Sequence, residues 1–544
     1  MFFFIAIIYS MDNSKPTPKI STQRIRGVLY AFEDFAYWDS EKQQTRHKRT
    51  YIGKIDANGA LVPNKAYAAR LQVDNIPKNP PALPQRLYYG TSHLLDAIGE
   101  RTGVVEDLET CFPEDYRKIL SLAYYLIQES DSPMYRFRKW AATHSHPLGT
   151  EFSDRRISEL FASISESAKM RFFARQSQRR LEREYLAYDT TSVSSYSEYI
   201  DEVRYGYNKD GESLPQINLA LVFGENSMLP VYYRKLPSNI PDVKTVRKLL
   251  KDVAFLDISK VKLVMDRGFY STENVNSLYR SHYKFLISPR SNSGFITSFL
   301  NVERENVRDY KNYSMPHDIY CLSRTEKWSC EPQNANSLSP KGTRRIYVHL
   351  YYNGQRAEAE KTAFVKSLAV AELALLEGNA TEEQHRLCSR YFAITGTPGR
   401  RLRIEHDEKG IRERVRNCGY FALLSNEIKD SEVALEIYRN KDLVEKAFCN
   451  LKNRLDMKRT AVSSSENLEG KLFVQFVALI YVSYIHKRMK EHGLYEYYSM
   501  QTLLDELDVI ERYQYSASRV HYSEITQKQD DLFRCFEVTP PSML

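Results

Sequence analysis

The sequence predicts an α/β protein, because strand-like and helical patterns alternate through two separated stretches of the chain. Between residues 184 and 290, buried-strand runs such as Val261–Met265 alternate with helical patterns such as Val243–Leu256. A strand-like segment, GYFALLSN, and a further helical pattern follow residue 417. A chain of 544 residues has room for about two to four domains. We therefore expect an α/β core with additional domains before it and within it.

The chain before this core predicts a small β module followed by helices. In residues 20–75, the segments Val28–Asp39 and Lys48–Asp56 alternate like strands, joined by a basic turn, EKQQTRHKR. Residues 90–183 have helical periodicity. The expected helices are Ser92–Thr102, Asp115–Glu129, Met134–Thr143 and Ser153–Glu184.

The last of these helices carries a row of basic side chains. Arg171, Arg175, Arg179 and Arg183 recur at steps of four residues and so share one helix face. A helix that faces DNA phosphates has this pattern. A solvated helix face with Glu182 and Glu184 has it equally, and the sequence does not decide between the two.

The core segments follow in a definite order. They are a strand that ends at Asp189, a hairpin formed by 217–223 and 228–236, a helix over Val243–Leu256, a strand that ends at Asp266, a helix over Thr272–His282 and a strand over 283–289. Residues 291–417 interrupt this order with a strand-like run at 344–352, a long helix near Gln355–Gly378 and the turn-rich TGTPGRR. Helical patterns cover 465–515, where the apolar run Leu472–Ile485 is too short to span a bilayer and indicates a buried helix.

Two aspartates are the first candidates for chemistry. Asp189 and Asp266 each follow a predicted strand, and ligand sites in open α/β sheets lie at the carboxyl ends of strands. Carboxylate oxygens there suit Mg²⁺, a hard cation. An aspartate in a turn or a helix cap is the ordinary alternative, and for either residue alone it is the more common one.

A polar stripe in Tyr438–Lys452 is the second candidate. Tyr438, Lys441, Glu445 and Lys452 fall at about 0°, −60°, −20° and −40° on a single helix, so they share one narrow face. A carboxylate flanked by cations and a phenol suits a metal ion and the phosphates around it. A solvated face with an i,i+4 ion pair between Lys441 and Glu445 is the alternative.

Composition excludes some classes of protein and favours others. The formal net charge is +8 with 27% charged residues, which suits a nucleic-acid partner without requiring one. Seven widely spaced cysteines without a C-x2-C pair argue against a disulfide scaffold or a zinc ribbon and favour a reducing cytoplasm. Residues 1–10 form an apolar run that is too short for a membrane span, and we expect Met11 to be the true start.

Taken together, these segments resemble the DDE transposases, and the Y-x2-R-x3-E-x6-K spacing resembles the signature of the insertion-sequence-four group of bacterial transposases. Tyr438, Glu445 and Lys452 match that signature, whereas Lys441 stands where the family has arginine. The segments YDTTSVSSYS, MDRGFYS, GYFALLSNE and YYGTSHLLDAIGE also look like blocks of the family. The resemblance covers roughly residues 20–515.

The resemblance implies a ribonuclease H-like mixed sheet flanked by helices and interrupted by an insertion domain, with an N-terminal β plus helical DNA-binding region. The expected divisions are 1–10 as a possible non-native extension, 11–75 as the β module, 76–183 as the helical DNA-binding region, 184–290 as the first part of the core, 291–417 as the insertion domain, 418–465 as the second part of the core and 466–544 as a C-terminal helical region.

It also implies the chemistry. Asp189, Asp266 and Glu445 would be catalytic and would hold two Mg²⁺ ions, with Mn²⁺ as a substitute. The expected DNA contacts are Tyr438, Lys441, Lys452, Arg171, Arg175 and Arg179. Expected partners are double-stranded DNA, as terminal inverted repeats and target, and a second copy of the chain in the DNA complex, with no membrane. We expect a bacterial, cytoplasmic, nucleoid-associated protein. A nuclease of the same fold that only hydrolyses DNA, or an inactive DNA-binding derivative, are the alternatives.

Overall fold

A computed structural model gives the fold of the chain. It describes residues 19–40, 42–56, 59–74, 85–180, 184–197, 199–206, 208–209, 211–255, 262–290, 293–330, 342–396, 403–516 and 519–542. The chain divides into two compact units, one formed by residues 1–85 with 515–519 and the other by 86–514 with 520–544. Arg183 lies outside the described residues, and so does most of the predicted turn at 395–401.

The first unit contains an antiparallel sheet with strand order β1-β2-β3-β4. Its elements are β1 (Lys19–Ile25), β2 (Val28–Asp39), β3 (Gln44–Ile55), β4 (Leu61–Pro63) and α1 (Lys65–Asp74). The predicted β module is therefore present in the structure. The predicted basic turn is wrong in extent, because β3 already begins at Gln44 and pairs with β2 from that residue onward.

The second unit begins with a helical region. Its elements are β5 (Gln85–Tyr88), α2 (Gly90–Thr102), α3 (Val104–Cys111), α4 (Tyr116–Gln128), α5 (Phe137–Ala141), α6 (Asp154–Ser163) and α7 (Glu166–Arg180). The single helix predicted over Ser153–Glu184 is wrong, because the chain leaves the helix at Ile164 and restarts after Ser165. The Ser165 hydroxyl accepts the backbone N–H of Ala168 and so caps the second helix. Helix α3 was not predicted.

A nine-stranded mixed sheet follows, with strand order β11-β12-β13-β16-β10-β9-β6-β7-β8. Its first half contains β6 (Leu186–Ser194), β7 (Gln216–Gly224), β8 (Pro230–Pro237), α8 (Asp242–Phe255), β9 (Lys262–Met265), α9 (Thr272–Arg280) and β10 (Lys284–Ile287). Strand β6 pairs in parallel with β9, and β9 pairs in parallel with β10. The β6–β7–β8 pairs are antiparallel.

The residues predicted to form an insertion domain contribute to the same sheet. Elements in this part are α10 (Gly294–Val307), β11 (Tyr313–Ser314), β12 (Ile319–Cys330), β13 (Gly342–Tyr352), α11 (Gly354–Glu377), α12 (Glu382–Tyr391), β14 (Phe392–Thr395), β15 (Arg403–His406) and α13 (Glu408–Arg416). The predicted second part of the core then begins with β16 (Tyr420–Ser425). Strand β16 pairs with both β10 and β13. The predicted boundary at 290–291 therefore does not separate two sheets, and helix α11 with the β14–β15 hairpin forms the part that lies outside the central sheet.

The chain ends with helices and a short hairpin. These elements are α14 (Ser431–Asn440), α15 (Asp442–Asn453), α16 (Ser465–Glu491), α17 (Met500–Asp508), β17 (Glu511–Ser516), β18 (Arg519–Tyr522) and α18 (Gln527–Cys535). The helical prediction for 465–515 is thus wrong from Glu511 onward.

Helix α16 is the one described helix that is long and apolar enough to cross a membrane, but 89% of its apolar window is buried inside the protein. It packs along α4 and α6 in the large core cluster. The buried Lys471 on this helix is 2.8 Å from Asp456, and Gln475 donates to the Leu455 carbonyl. The burial of this helix agrees with the prediction for Leu472–Ile485.

Candidate active site

The two predicted aspartates are neighbours in the central sheet. The parallel pairing of β6 with β9 reaches Tyr188 opposite Met265. The residues that follow these two in the chain are Asp189 and Asp266. Because parallel strands with this register run side by side, the two carboxyl groups project from adjacent positions. This one strand pair thus brings together two aspartates that are 77 positions apart in the sequence.

The sequence predicts that Asp189 ends its strand, but in the structure it does not. Strand β6 continues to Ser194, and its later residues stay paired with β7. The hydroxyl-rich run after Asp189 includes β-branched Thr190, Thr191 and Val193, which favour extended backbone. Asp189 therefore lies where the parallel partner ends and the antiparallel partner continues. Asp266 does directly follow its strand, since β9 ends at Met265.

The carboxylate of Asp266 is stabilised by a set of donors. The Tyr438 hydroxyl donates to Oδ1 at 2.7 Å, and the backbone N–H of Arg267 donates to the same oxygen at 2.7 Å. The Lys441 amino group lies 3.7 Å from Oδ2. Burial alone would raise the pKa of Asp266, but these donors outweigh it and lower the pKa below its usual value. Asp266 is thus held as an anion.

Asp189 is in a different electrostatic environment. Burial raises its pKa and the nearby Asp266 adds to this, while Lys209, the Thr190 N–H and Lys441 oppose without cancelling it. The Thr190 N–H donates to Oδ1 at 2.7 Å, and the Lys209 amino group lies 3.6 Å from the same oxygen. The two aspartates therefore have pKa values shifted in opposite directions, and Asp189 gains most from an added positive charge.

The predicted continuous helix over Tyr438–Lys452 is interrupted. Helix α14 ends at Asn440 and α15 begins at Asp442, so Lys441 is the joint between them. Its N–H bonds to the Tyr438 carbonyl at 3.3 Å and its carbonyl accepts the Val444 N–H at 2.9 Å, both i to i+3 bonds that tighten the chain. The stripe residues therefore lie on two successive helices rather than on one, with Lys441 between them.

Lys441 nevertheless connects the candidate residues. Its amino group is 3.3 Å from Oε1 of Glu445 and 3.7 Å from Oδ2 of Asp266. Burial alone would lower the pKa of Lys441, but Asp266, Glu445 and Asp189 together raise it. The side chain of Lys441 is only 16% exposed, whereas that of Glu445 is 60% exposed. One ammonium group thus lies among all three predicted carboxylates.

The donor set fits a hard divalent cation in type, since it consists of carboxylate oxygens at one edge of a sheet. In the described part of the chain, no three His, Cys, Asp or Glu side chains converge closely enough to form a metal centre. Asp189 and Asp266 are adjacent by register, and Glu445 is joined to them through Lys441. The chemistry of these residues fits the cation.

Two residues at this site were missed in the sequence. The Lys209 amino group donates to the Thr190 carbonyl at 2.6 Å and lies 3.3 Å from Oδ2 of Asp242. Oδ1 of Asp242 accepts the Thr190 hydroxyl at 2.7 Å. Asp242 follows Pro241 at the start of α8, which is the pattern of an ordinary helix start. Lys209 lies in a polar loop and has no sequence signal.

The residues predicted to contact DNA differ in their partners and in their exposure. Tyr438 uses its hydroxyl on Asp266, and Lys452 lies half-buried in the last turn of α15. Arg175 and Arg179 bind the fully buried carboxylate of Asp107 at 2.7 and 2.8 Å and also contact Glu106. These two guanidinium groups hold α7 against α3, whereas Arg171 is exposed on the same helix. The solvated-face alternative also does not describe Arg175 and Arg179.

A cavity of about 740 Å³ opens beside Asp266, Tyr438 and Lys441. A second cavity of about 780 Å³ shares several lining residues with it. The side chains common to both are Arg267, Ser288, Arg356 and Phe421. Arginines found in only one of the two linings are Arg439 in the first and Arg290, Arg390 and Arg414 in the second. Glu360 and Glu413 are the acidic residues lining the second cavity. The charged side chains that line the first cavity beside Asp266 are therefore the cations of Arg267, Arg356, Arg439 and Lys441, and the remaining lining residues are uncharged.

A family model, the transposase DDE domain, matches residues 180–481. The chain belongs to the transposase DDE domain family. The matched residues of this transposase include β6 with Asp189, β9 with Asp266 and the helices with Tyr438, Lys441 and Glu445. A search of the curated proteins gave no significant match. Among solved structures, the cryo-EM structure of a piggyBac transposase synaptic complex with hairpin DNA has a TM-score of 0.35 and 10% sequence identity, over 77% of this chain and 76% of that chain.

Proposed function

We propose that this DDE transposase is the enzyme of a bacterial insertion sequence of the insertion-sequence-four group, and that it cuts DNA at the ends of the element and joins the released ends to target DNA. The observation that carries this proposal is the register of β6 and β9, which makes Asp189 and Asp266 neighbours within the matched family domain. The strand order β8-β7-β6-β9-β10, with its first two pairs antiparallel and its last two parallel, supports the ribonuclease H-like assignment.

The Y-R-E-K assignment rests on Tyr438, Glu445 and Lys452, with Lys441 in the arginine position. Two of these residues already contact the acidic site in the structure, since Tyr438 bonds Asp266 and Lys441 approaches both Asp266 and Glu445. A lysine keeps the charge of arginine but lacks its two-pronged hydrogen bonding. We infer that Lys441 holds the reacting phosphate as a point charge.

Asp189, Asp266 and Glu445 would hold the divalent cations, Mg²⁺ in the cell, which when bound neutralise charge on the reacting phosphate and on the attacking and leaving oxygens. Asp266 is prepared for this by Tyr438 and the Arg267 N–H, which keep it anionic. The Lys441 amino group balances the carboxylates of Asp266 and Glu445 and would be available to the reacting phosphate. The arginines that line the two cavities would bind the DNA strand along a path away from Asp266.

The remaining parts of the proposal follow from this activity. Double-stranded DNA, as the inverted repeats and the target, is the partner, and two copies of the chain would hold two ends of one element. The cysteines stay reduced in a cytoplasmic, nucleoid-associated protein. We assign Arg175 and Arg179 a structural role and retain Tyr438, Lys441, Lys452 and Arg171 as DNA contacts.

The test is cleavage and strand transfer with DNA that carries the sequence flanking this reading frame. Asp189→Asn, Asp266→Asn and Glu445→Gln should each reduce Mg²⁺-dependent cleavage by at least about 10³-fold, since the chemistry depends on charge neutralisation. The matched control is Asp252→Asn, which changes an aspartate on α8 that pairs with Arg234. This variant should cut normally. A site variant that still cuts at the wild-type rate would remove that residue from the active site. Cleavage without joining would favour the nuclease alternative, and binding without cleavage would favour the inactive one.

A further inference from the structure

The N-terminal sheet ends in a two-stranded β-ribbon, beside which the described residues form no other strand. Strand β1 pairs with β2 only from Val28 to Asp34, and β4 pairs with β3 only from Gly53 to Ile55. Beyond these limits, Phe35–Asp39 pairs with Gln44–Lys48 alone. At about 3.4 Å per residue, these five pairs extend the ribbon roughly 17 Å past the edge of the sheet.

The ribbon exposes aromatic side chains without an internal packing role. Trp38 is 65% exposed and Tyr37 is 48% exposed. The chain has three tryptophans, and the other two, Trp140 and Trp328, are 3% and 4% exposed. Leaving an indole in water is unfavourable, so a solvent-exposed tryptophan on a projecting ribbon indicates a surface that another molecule covers.

Two cations of the ribbon, Arg46 and Lys48, lie on the face that carries Tyr37, whereas Trp38 is opposite Thr45 on the other face. Arg46 is directly opposite Tyr37, and Lys48 is directly opposite Phe35, so each pair shares one face of the ribbon. Arg46 is 3.4 Å from Asp39, but the Arg46 side chain is 45% exposed against 16% for Asp39, so the guanidinium can exchange this partner for a phosphate. Residues 19–74 as a whole contain ten Lys and Arg against six Asp and Glu. The partner is therefore an anion with apolar surface.

We propose that the ribbon, residues 35–40 and 42–48, inserts into a groove of duplex DNA, with Arg46 and Lys48 on phosphates along one wall and Trp38, on the opposite face of the ribbon, against the other wall. A two-stranded ribbon has the width that the major groove admits. The proposal rests on the proposed function, which makes duplex DNA the substrate, and adds to it a second contact surface in a separate compact unit of the chain. It names residues outside the acidic site that set DNA affinity.

Trp38 makes the test direct, because acrylamide in solution reaches it far more readily than the two buried tryptophans. The full-length protein without divalent cation is titrated with a mixed-sequence 30-base-pair duplex while acrylamide quenching of tryptophan fluorescence is followed. We expect the duplex to reduce the quenching constant about threefold or more, and Trp38→Phe to remove this response. A 30-nucleotide single strand should protect Trp38 less than the duplex does.

Charge variants test the same surface by affinity. Arg46→Gln/Lys48→Gln should weaken duplex binding about tenfold at 0.1 M salt and lower the slope of log affinity against log salt by about 2. Lys366→Gln/Arg386→Gln removes the same charge from exposed positions on α11 and α12 and should change neither. Circular dichroism of each variant verifies that the fold is retained.

The outcomes separate this proposal from the proposed function. Four results would each overturn the ribbon contact. Two are equal affinity losses in the ribbon and control variants and unchanged Trp38 quenching with duplex. The others are stronger protection by the single strand and protection that rises with protein concentration in the absence of DNA. If the wild-type protein still cuts DNA in those cases, the proposed function stands. A wild-type protein that binds no duplex would overturn both.

Discussion

The Tyr438 hydroxyl donates a 2.7 Å hydrogen bond to Oδ1 of Asp266, a residue 172 positions earlier in the chain. Tyr438 is near the end of α14 and Asp266 directly follows β9, so this bond joins the late helices to the central sheet. It also lowers the pKa of Asp266, while burial and the carboxylate raise the pKa of Tyr438 above its usual range. The same phenol therefore positions the carboxylate and keeps it charged.

Removing this hydroxyl should shift the pH dependence of cleavage. In Tyr438→Phe, Asp266 loses a donor that favours its anion, so its pKa rises and the acidic limb of the rate profile moves to higher pH. We expect cleavage to fall about tenfold near the acidic limb and less at pH 8. Tyr185→Phe, which removes a hydroxyl bonded to Glu427 at 2.7 Å, is the control. Identical pH profiles for Tyr438→Phe and wild type would show that this bond does not govern Asp266.

The charge of Lys441 should matter more than its shape. Lys441→Arg keeps a cation between Asp266 and Glu445 and can add a second hydrogen bond to phosphate, so cleavage should be retained or increased. Lys441→Glu places a fourth carboxylate among the other three and should lower cleavage by at least about 10²-fold. Lys446→Glu makes the same charge change at an exposed position on α15 and should cut nearly normally. Arg439 is not a suitable control, because it lines the cavity beside Asp266. Steady cleavage by Lys441→Glu would place residue 441 away from the reacting phosphate.

Lys209 should act through Asp189. In Lys209→Met the burial that raises the pKa of Asp189 is no longer opposed by this cation, so Asp189 needs a higher pH or a higher cation concentration to ionise. We expect the Mg²⁺ concentration for half-maximal cleavage to rise about threefold to tenfold, with recovery at higher pH. Lys244→Met, at an exposed position on α8, is the control. A lower maximal rate with the same Mg²⁺ dependence would contradict a role through Asp189.

The Arg175, Arg179 and Asp107 cluster should contribute to stability rather than to DNA affinity. Arg175→Met/Arg179→Met leaves the fully buried Asp107 carboxylate without its two guanidinium donors and with the Gln176 amide as a side-chain donor. The free energy of unfolding should fall by about 2–4 kcal/mol, less than for fully buried pairs because both guanidinium groups are about one-third exposed. Urea unfolding measures this, and Arg171→Met should be nearly neutral. A stable double variant with strongly weakened DNA binding would restore the phosphate-facing interpretation of α7.

The sequence predicts those features that depend on local patterns. The runs before Asp189 and Asp266 have apolar residues that indicate strands, and the structure places both runs in the central sheet. The β2–β3 pair, the β7–β8 hairpin and the buried α16 were likewise predictable from periodicity. The proximity of the two aspartates could be expected from strand-end placement, although its actual cause is the parallel register.

The features that were missed depend on partners far away in the chain. Strand β6 passes Asp189 because β7 offers an antiparallel partner to Ser194. The break at Lys441 has no glycine or proline to announce it, and the local residues favour helix throughout. Lys209 has a role only because the loop that carries it returns to Thr190. Arg175 and Arg179 could not be separated from DNA-facing arginines without knowledge of Asp107.

The pairing of β16 with both β10 and β13 has a consequence for any attempt to shorten this protein. Strand β16 receives β10, which follows Asp266, on one side and β13 on the other. Excision of 291–417 would therefore strip one side of β16 and leave a row of unpaired backbone N–H and C=O groups. Such an edge recruits strands from other molecules, so the shortened protein should aggregate even if its three carboxylates are untouched. This segment is therefore needed for solubility as well as for the cavity wall to which Arg356 contributes beside Asp266.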